Sequence, residues 1–284
     1  MSDTEFLILG ANGQLGKALA QKYPGAKSTD MDVLDITSMA SLNSFDWSGI
    51  KYILNAAAYT NVDGAETNEG RVAAWKVNAE AVSNLVNVAL KNDITLVHVS
   101  TDYVFDGTSD NHLETEAFSP LSVYGQTKAA ADIVVRLLPK HYILRTSWVI
   151  GDGNNFVRTM LGLGKKGIAP KVVDDQIGRL TFTDELVKAI DFLLNHNSAS
   201  GTYNVTNGGE PASWADITIE IFKLANFNLD VGKVTTEEYY EGKDNIAPRP
   251  LKSALSLDKI TGLGFELTDW KEALSDYVKK ELNE

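Results

Sequence analysis

Glu5-Phe6-Leu7-Ile8-Leu9-Gly10-Ala11-Asn12-Gly13-Gln14-Leu15-Gly16 decides the fold of this 284-residue chain. Residues 5–10 read as a short buried strand, and an amphipathic helix follows to about Lys22. Between them lies a Gly-x-x-Gly-x-x-Gly turn, one residue shifted from the common dinucleotide spacing. Gly10 permits the tight bend, Gly13 lets backbone approach a pyrophosphate, and Gly16 allows the helix to sit close to the strand. The helix N-terminus supplies N–H donors, so Asn12, Gln14 and Leu15 join the three glycines as candidate cofactor contacts.

Asp30 stands twenty residues after Gly10, where a second strand would end, and can accept hydrogen bonds from an adenosine ribose. That position favours NAD over NADP, although Asp32 competes for the role. Asp35-Ile36 can flank the adenine. No arginine lies nearby to welcome a 2′-phosphate, and Lys27 is the cation that could reach one. Tyr52-Ile53-Leu54-Asn55 reads as a third strand leading into Ala56-Ala57-Ala58-Tyr59-Thr60. Small side chains at a strand's carboxyl end let a cofactor lie against backbone, which assigns Ala57, Ala58, Tyr59 and Thr60 to the cofactor. A helical pattern spans about 69–91 with Asn78 midway, either a surface group or a polar group under the sheet edge. Leu96-Val97-His98-Val99 and Tyr142-Ile143-Leu144-Arg145 read as further strands, with Val99 reaching the cofactor. This alternation predicts an α/β fold, a Rossmann-type doubly wound parallel sheet with a smaller C-terminal substrate-binding lobe. The expected division is a dinucleotide-binding domain over 1–150, rejoined by the chain at about 171–200, with 151–284 mainly the lobe.

The chemistry concentrates in Ser100-Thr101-Asp102-Tyr103-Val104-Phe105-Asp106-Gly107 and Ser119-Pro120-Leu121-Ser122-Val123-Tyr124-Gly125-Gln126-Thr127-Lys128. Tyr124 to Leu138 reads as a helix, so Tyr124 and Lys128 share one face. A free tyrosine, with a pKa of about 10, is a poor proton donor at neutral pH. A fixed ammonium about 5 Å away, at an effective dielectric near 20, favours the phenolate by about 3 kcal/mol, or about two pK units. Tyr124 thereby comes within range of general acid chemistry at a carbonyl, and Thr101 adds a second hydrogen bond to the same oxygen. Two other Tyr-x-x-x-Lys pairs exist. Tyr23/Lys27 encloses Pro24 and Gly25, which break a helix face, and Tyr239/Lys243 sits in an acidic, loop-like stretch.

The formal net charge of −12 argues against nucleic acid, because phosphate binding needs a basic footprint. An anionic small ligand needs a local positive cluster instead, and six arginines (71, 136, 145, 158, 179 and 249) are available to build one. Without cysteine there is no thiolate nucleophile or ligand, and the four scattered histidines show no metal-ligand spacing, so no metal is expected. Neither a membrane span nor a signal peptide is visible, and a cytoplasmic location follows as the expectation.

Taken together, the Gly10–Gly16 turn, Ser100–Gly107 and Tyr124–Lys128 resemble the extended short-chain dehydrogenase/reductases, and more narrowly the dTDP-4-dehydrorhamnose reductase family. Asn55-Ala56-Ala57-Ala58-Tyr59-Thr60-x-Val62-Asp63-x-Ala65-Glu66, Leu144-Arg145-Thr146-Ser147-Trp148-Val149, Asn154-Asn155-Phe156, Asp175-Gln176-x-Gly178 and Arg249-Pro250 are similar to that family's blocks. Leu180 departs from it where the family usually has proline, and Gly64 stands where a bulkier residue is usual. The resemblance implies hydride transfer from NADPH or NADH to C4 of dTDP-6-deoxy-L-lyxo-4-hexulose. Tyr124 would be the proton donor, Lys128 would lower its pKa and hold the nicotinamide ribose, and Thr101 would polarise the ketone. Asp102, Tyr103, Phe105, Trp148, Asn154, Asn155 and Phe156 would shape the sugar site, with Arg249 facing the diphosphate. The partners implied are a dTDP-linked 4-keto-6-deoxy sugar and at most a weak homodimer of the chain. A sugar-nucleotide epimerase or dehydratase of the same fold, or a non-catalytic regulatory subunit like that of methionine adenosyltransferase, are the alternatives.

Overall fold

A computed structural model describes residues 1–283. The chain runs through β1 (Phe6–Leu9), α1 (Gln14–Lys22), β2 (Lys27–Thr29), α2 (Met39–Ser44), β3 (Tyr52–Asn55), α3 (Asn68–Trp75), α4 (Ala81–Asn92), β4 (Thr95–Thr101) and α5 (Val123–Val135). It continues as β5 (His141–Thr146), β6 (Val149–Ile150), α6 (Phe156–Lys165), β7 (Lys171–Val173), β8 (Ile177–Gly178), β9 (Thr181–Phe182), α7 (Thr183–Asn195) and β10 (Gly201–Asn204). The last part holds β11 (Ala212–Ser213), α8 (Trp214–Leu224), β12 (Gly232–Val234), α9 (Thr236–Tyr240), α10 (Asp258–Thr261) and α11 (Trp270–Asn283).

Six strands form one parallel sheet in the order β10-β5-β4-β3-β1-β2. The chain leaves β1 for β2 on one side, then crosses to β3 and winds outward on the other. Direction therefore reverses between β1 and β3, and ligands of such sheets bind in the crevice at the carboxyl ends of that pair. Gly10 and Ala56 open this crevice. Helices on both faces require strands that are apolar throughout, and all four residues of β1 are buried. Phe6 and Ile8 pack with Leu19 and Ile190 on the α1/α7 face, while Leu7 and Leu9 pack with Val82 and Leu85 on the other.

A second core, including Val157, Leu161, Ile217, Phe222, Trp270 and Leu274, joins α6, α8 and α11 into the lobe. Residues 171–182, expected to rejoin the sheet domain, instead pair outside the central sheet: β7 with β12 and β9 with β6. The return is made by α7, whose apolar face covers the sheet, and by β10, which pairs with β5 as the edge strand. The helical pattern at 69–91 is also interrupted, because α3 and α4 are joined by a π-helical turn at Lys76–Glu80. Among the described residues no helix is long and apolar enough to cross a membrane, and no three acidic or histidine side chains gather as a metal site.

Candidate active site

The turn after β1 uses its glycines in two ways. Gly10 has φ +75°, and a Cβ on it would lie 2.7 Å from the Ala57 nitrogen, so glycine lets the exits of β1 and β3 touch. A Cβ on Gly16 would overlap the Gly10 carbonyl oxygen. Gly13 differs, because a Cβ there would meet only the Gly10 oxygen at 3.3 Å and its outer side is open. Gly13 is also the N-cap of α1 and supplies no side-chain cap, which leaves first-turn N–H groups for a phosphate. These features fit a dinucleotide.

Asp30 Oδ2 accepts from the Asn12 amide at 3.1 Å and Oδ1 from the Met31 amide at 2.8 Å, so this carboxylate ties the end of β2 to the glycine turn. It lines a cavity of about 340 Å³ with Gly10, Asp35, Ile36, Ala57, Ala58 and Tyr59. Its competitor Asp32 is exposed and does not line this cavity. The Asp35 Oδ1 is held by the Thr37 amide (2.9 Å) and hydroxyl (2.7 Å), hydrogen bonds that keep the carboxyl below its ordinary pKa. Lys27 lays its ammonium 4.0 Å over the Phe45 ring. Val77, from the π turn, also faces the cavity and had no local signal in the sequence. Asn78 proves buried: its Oδ1 accepts from the Tyr59 amide (2.8 Å), and its Nδ2 donates to the Tyr59 carbonyl and the Thr127 hydroxyl (3.1 Å each). The loop after β3 is thereby clamped to the helix that carries Lys128.

The adjoining cavity, about 630 Å³, brings together Asn12, Gly13, Gln14 and Leu15 from one wall with Ala58, Thr60, Val99, Thr101, Asp102, Tyr103, Tyr124, Lys128, Trp148 and Asn154. Local structure aims these groups. Thr101 ends β4 at the crevice. Ser122 caps α5 by accepting from the Gly125 amide at 3.1 Å, and Glu66 accepts from the Val123 amide at 2.8 Å. Gly125 has no room for a Cβ against the Tyr103 carbonyl, which seats the 102–104 turn on the start of the helix. Tyr103 then meets Tyr124 edge-on, with ring centroids 5.7 Å apart. Trp148 takes φ +48°, a costly conformation for a bulky residue, and stacks on Trp214 at 3.8 Å. Thr146, Ser147 and Val62 also line this cavity. The first two lie at the end of β5, where the crevice rule could have found them.

The electrostatics differ from the expectation. Burial pushes the Tyr124 phenol up to about 12, with Asp102 adding to the rise and the Thr101 hydroxyl offsetting part of it. Lys128 is 2% exposed, and burial brings its amine down to about 8 against a smaller opposing effect of Asp132. Desolvation is the largest cause at both groups, because each sits where water cannot solvate its charge. Lys128 Nζ donates to the Val99 carbonyl at 2.7 Å. The Thr101 hydroxyl donates to Asp102 Oδ1 at 2.9 Å, and burial raises that carboxyl to about 6.

Four expected substrate-site residues, Phe105, Asn155, Phe156 and Arg249, lie elsewhere or do other work. Phe105 is fully buried and stacks on His112 at 4.6 Å, because the 3₁₀ turn at Asp102–Val104 swings the next side chain into the core. Asn155 caps α6 through its Oδ1, and its Nδ2 donates to the Gly151 carbonyl and the Tyr277 hydroxyl. Arg249 is paired with Asp63 at 2.8 Å and lies over the Tyr240 ring. With Phe156, Gln176, Trp214, Tyr239 and Tyr240, Arg249 lines a third cavity of about 270 Å³ in the lobe, and Tyr103 borders both this one and the larger. The Tyr239/Lys243 pair makes a cation–π contact at 4.0 Å, yet its tyrosine helps form that wall. Leu180 is buried in the lobe core.

A doubly wound parallel sheet, with a glycine turn on one side of its switch-point crevice and a hydroxyl, phenol and amine on the other, has the form of a Rossmann-type short-chain dehydrogenase/reductase. More narrowly, the chain belongs to the family described as RmlD substrate binding domain, whose profile matches residues 4–283. It is 39% identical to the dTDP-4-dehydrorhamnose reductase of Aggregatibacter actinomycetemcomitans, over 95% of this chain and 97% of that one. Among solved structures it is similar to a dTDP-4-dehydrorhamnose reductase from Clostridium acetobutylicum (37% identity, TM-score 0.90, 98% of this chain and 99% of that one). A second, from Bacillus anthracis and in complex with NADP, is 35% identical with a TM-score of 0.89, covering 97% and 98% of the two chains.

Proposed function

We propose that this chain is an NAD(P)H-dependent reductase that converts the C4 ketone of dTDP-6-deoxy-L-lyxo-4-hexulose to the alcohol of dTDP-L-rhamnose. One observation carries the reading: Thr101, Tyr124 and Lys128 share a single cavity with the glycine turn. The names of the relatives supply the substrate class, and the NADP in the Bacillus anthracis protein supports the cofactor. The glycine turn and the N-terminus of α1 would hold the pyrophosphate, Asp30 and Ile36 the adenosine end, and Lys128 the nicotinamide ribose.

A reduced dinucleotide, when bound, supplies the hydride for the ketone carbon. Tyr124 supplies the proton for the oxygen, and ketone, hydride and proton together balance the alcohol. The raised phenol pKa suits this direction: Tyr124 holds its proton at neutral pH and yields it only to a stronger base, the developing alkoxide. Thr101, turning its one hydroxyl proton from Asp102, would donate to the same oxygen as charge grows there. Lys128, charged below about pH 8, steadies the phenolate that remains. The lobe cavity, with Trp214, Tyr240 and Arg249, lies on the far side of Tyr103 and would take the nucleotide.

A dehydratase would place a second carboxylate beside the hydroxyl, and here Tyr103 follows Thr101-Asp102. The deciding experiment supplies the dTDP-4-keto sugar with NADPH or NADH and follows the reduced nicotinamide. One cofactor consumed per sugar reduced is expected. Catalytic recycling of the nicotinamide would point to an epimerase, and no turnover alongside tight binding to another enzyme would point to a regulatory protein.

A further inference from the structure

Behind Lys128 lies a buried chain of groups that the reaction above does not use. Asn55 ends β3, and its Oδ1 accepts from the Ala57 amide at 3.2 Å. That contact fixes which end of the amide is which, so Nδ2 faces His98 Nδ1 at 3.0 Å. An amide nitrogen only donates, which makes Nδ1 an acceptor. His98 is 0% exposed, and burial together with the nearby lysine keeps it neutral. A neutral imidazole carries one proton, so it sits on Nε2, and Nε2 lies 3.3 Å from Lys128 Nζ.

This arrangement does not treat the two forms of Lys128 alike. An ammonium has three donors and no acceptor, so its N–H would meet the Nε2–H head-on. A free amine has a lone pair, which the Nε2–H can fill while the amine still donates to Val99. We infer that His98, its tautomer set by Asn55, is a positioning residue that stabilises the free amine of Lys128 and ties its protonation to the cofactor loop at Ala57. This rests on the reading above in which Lys128 serves the reacting end of the cavity. Of the other titratable groups, Asp132 on the same helix acts on Lys128, and Tyr124 lines the same cavity. Asp132 favours the ammonium and is itself engaged by Arg145 from β5 at 2.9 Å. The depressed pKa of Lys128 agrees in direction.

The tautomer can be measured without any substrate. Nitrogen-15 shifts of the ring of His98 in the whole protein, assigned by comparison with His98→Gln, should report a neutral Nε2–H form. An Nδ1–H form or an imidazolium overturns the inference, whatever the enzyme reduces. Asn55→Asp gives the functional readout. It keeps an acceptor for the Ala57 amide but replaces the donor facing Nδ1, which reverses the tautomer and turns Nε2 into an acceptor for the ammonium. The alkaline limb of the kcat/KM profile for ketone reduction should then move up by about one pH unit or more, a tenfold change in proton affinity. An unmoved limb in folded Asn55→Asp overturns the inference, since loss of packing alone changes the height of such a profile and not its midpoint.

Discussion

At the scale of single residues, Tyr124 carries the sharpest expectation. Tyr124→Phe removes the proton and leaves the ring, so kcat should fall about 10²- to 10⁴-fold while cofactor affinity stays nearly intact. Stopped-flow turnover and a cofactor titration separate the two. The pH dependence follows from Lys128: it is charged below about 8 and neutral above, so kcat/KM for reduction should decline as pH rises through about 8. A flat profile to pH 9.5, roughly one and a half units above that value, would count against an ammonium in the reaction. Asp102 predicts a stability effect. Its folded pKa of about 6 lies above the usual carboxylate value, so between about pH 4 and 6 the folded state binds more protons than the unfolded one, and stability falls as pH rises. Asp102→Asn should abolish that slope, worth up to about 3 kcal/mol by denaturant unfolding at the two pH values. The pairing of Tyr124 with Lys128 was legible from spacing, whereas the sign of their pKa shifts was not, because burial depends on what covers a residue.

At the scale of elements, α5 is held from its far end as well as its cap. Asp132 and Arg145 are both fully buried and paired at 2.9 Å, with the Arg145 guanidinium also donating to the Glu114 carbonyl and lying near the rings of Phe105 and Phe118. Asp132→Ala strands a buried cation and should cost about 3–5 kcal/mol, read as a shift in the urea midpoint at constant slope. A loss below about 1 kcal/mol would mean that Arg145 finds another partner or water. Strands and the glycine turn were readable from local pattern because each is set by near neighbours. The π turn at 76–80 was not, since Asn78 is drawn inward by Tyr59 and Thr127, nineteen and forty-nine residues away.

At the scale of the whole molecule, the proposed function divides the work among three cavities. Two open on the sheet and one belongs to the lobe, and Tyr103 borders both the lobe cavity and the larger of the sheet cavities. Trp214→Ala removes the stacking partner of Trp148 and one wall of the lobe cavity, a loss of about 0.5–1.5 kcal/mol beyond area burial. KM for the nucleotide sugar should rise about tenfold with the cofactor Kd unchanged, and an equal change in both would erase the division. What the sequence by itself determined was the sheet, the glycine turn and the hydroxyl–phenol–amine set, because period, turn chemistry and helical spacing act over a few residues. Only the tertiary structure decided that Phe105 turns into the core, that Asn155 caps a helix, that Tyr239 and Tyr240 join Arg249 in the lobe, and that His98 stands behind Lys128. Those outcomes depend on which distant segments meet and which groups lose their water, and no local pattern of residues encodes either.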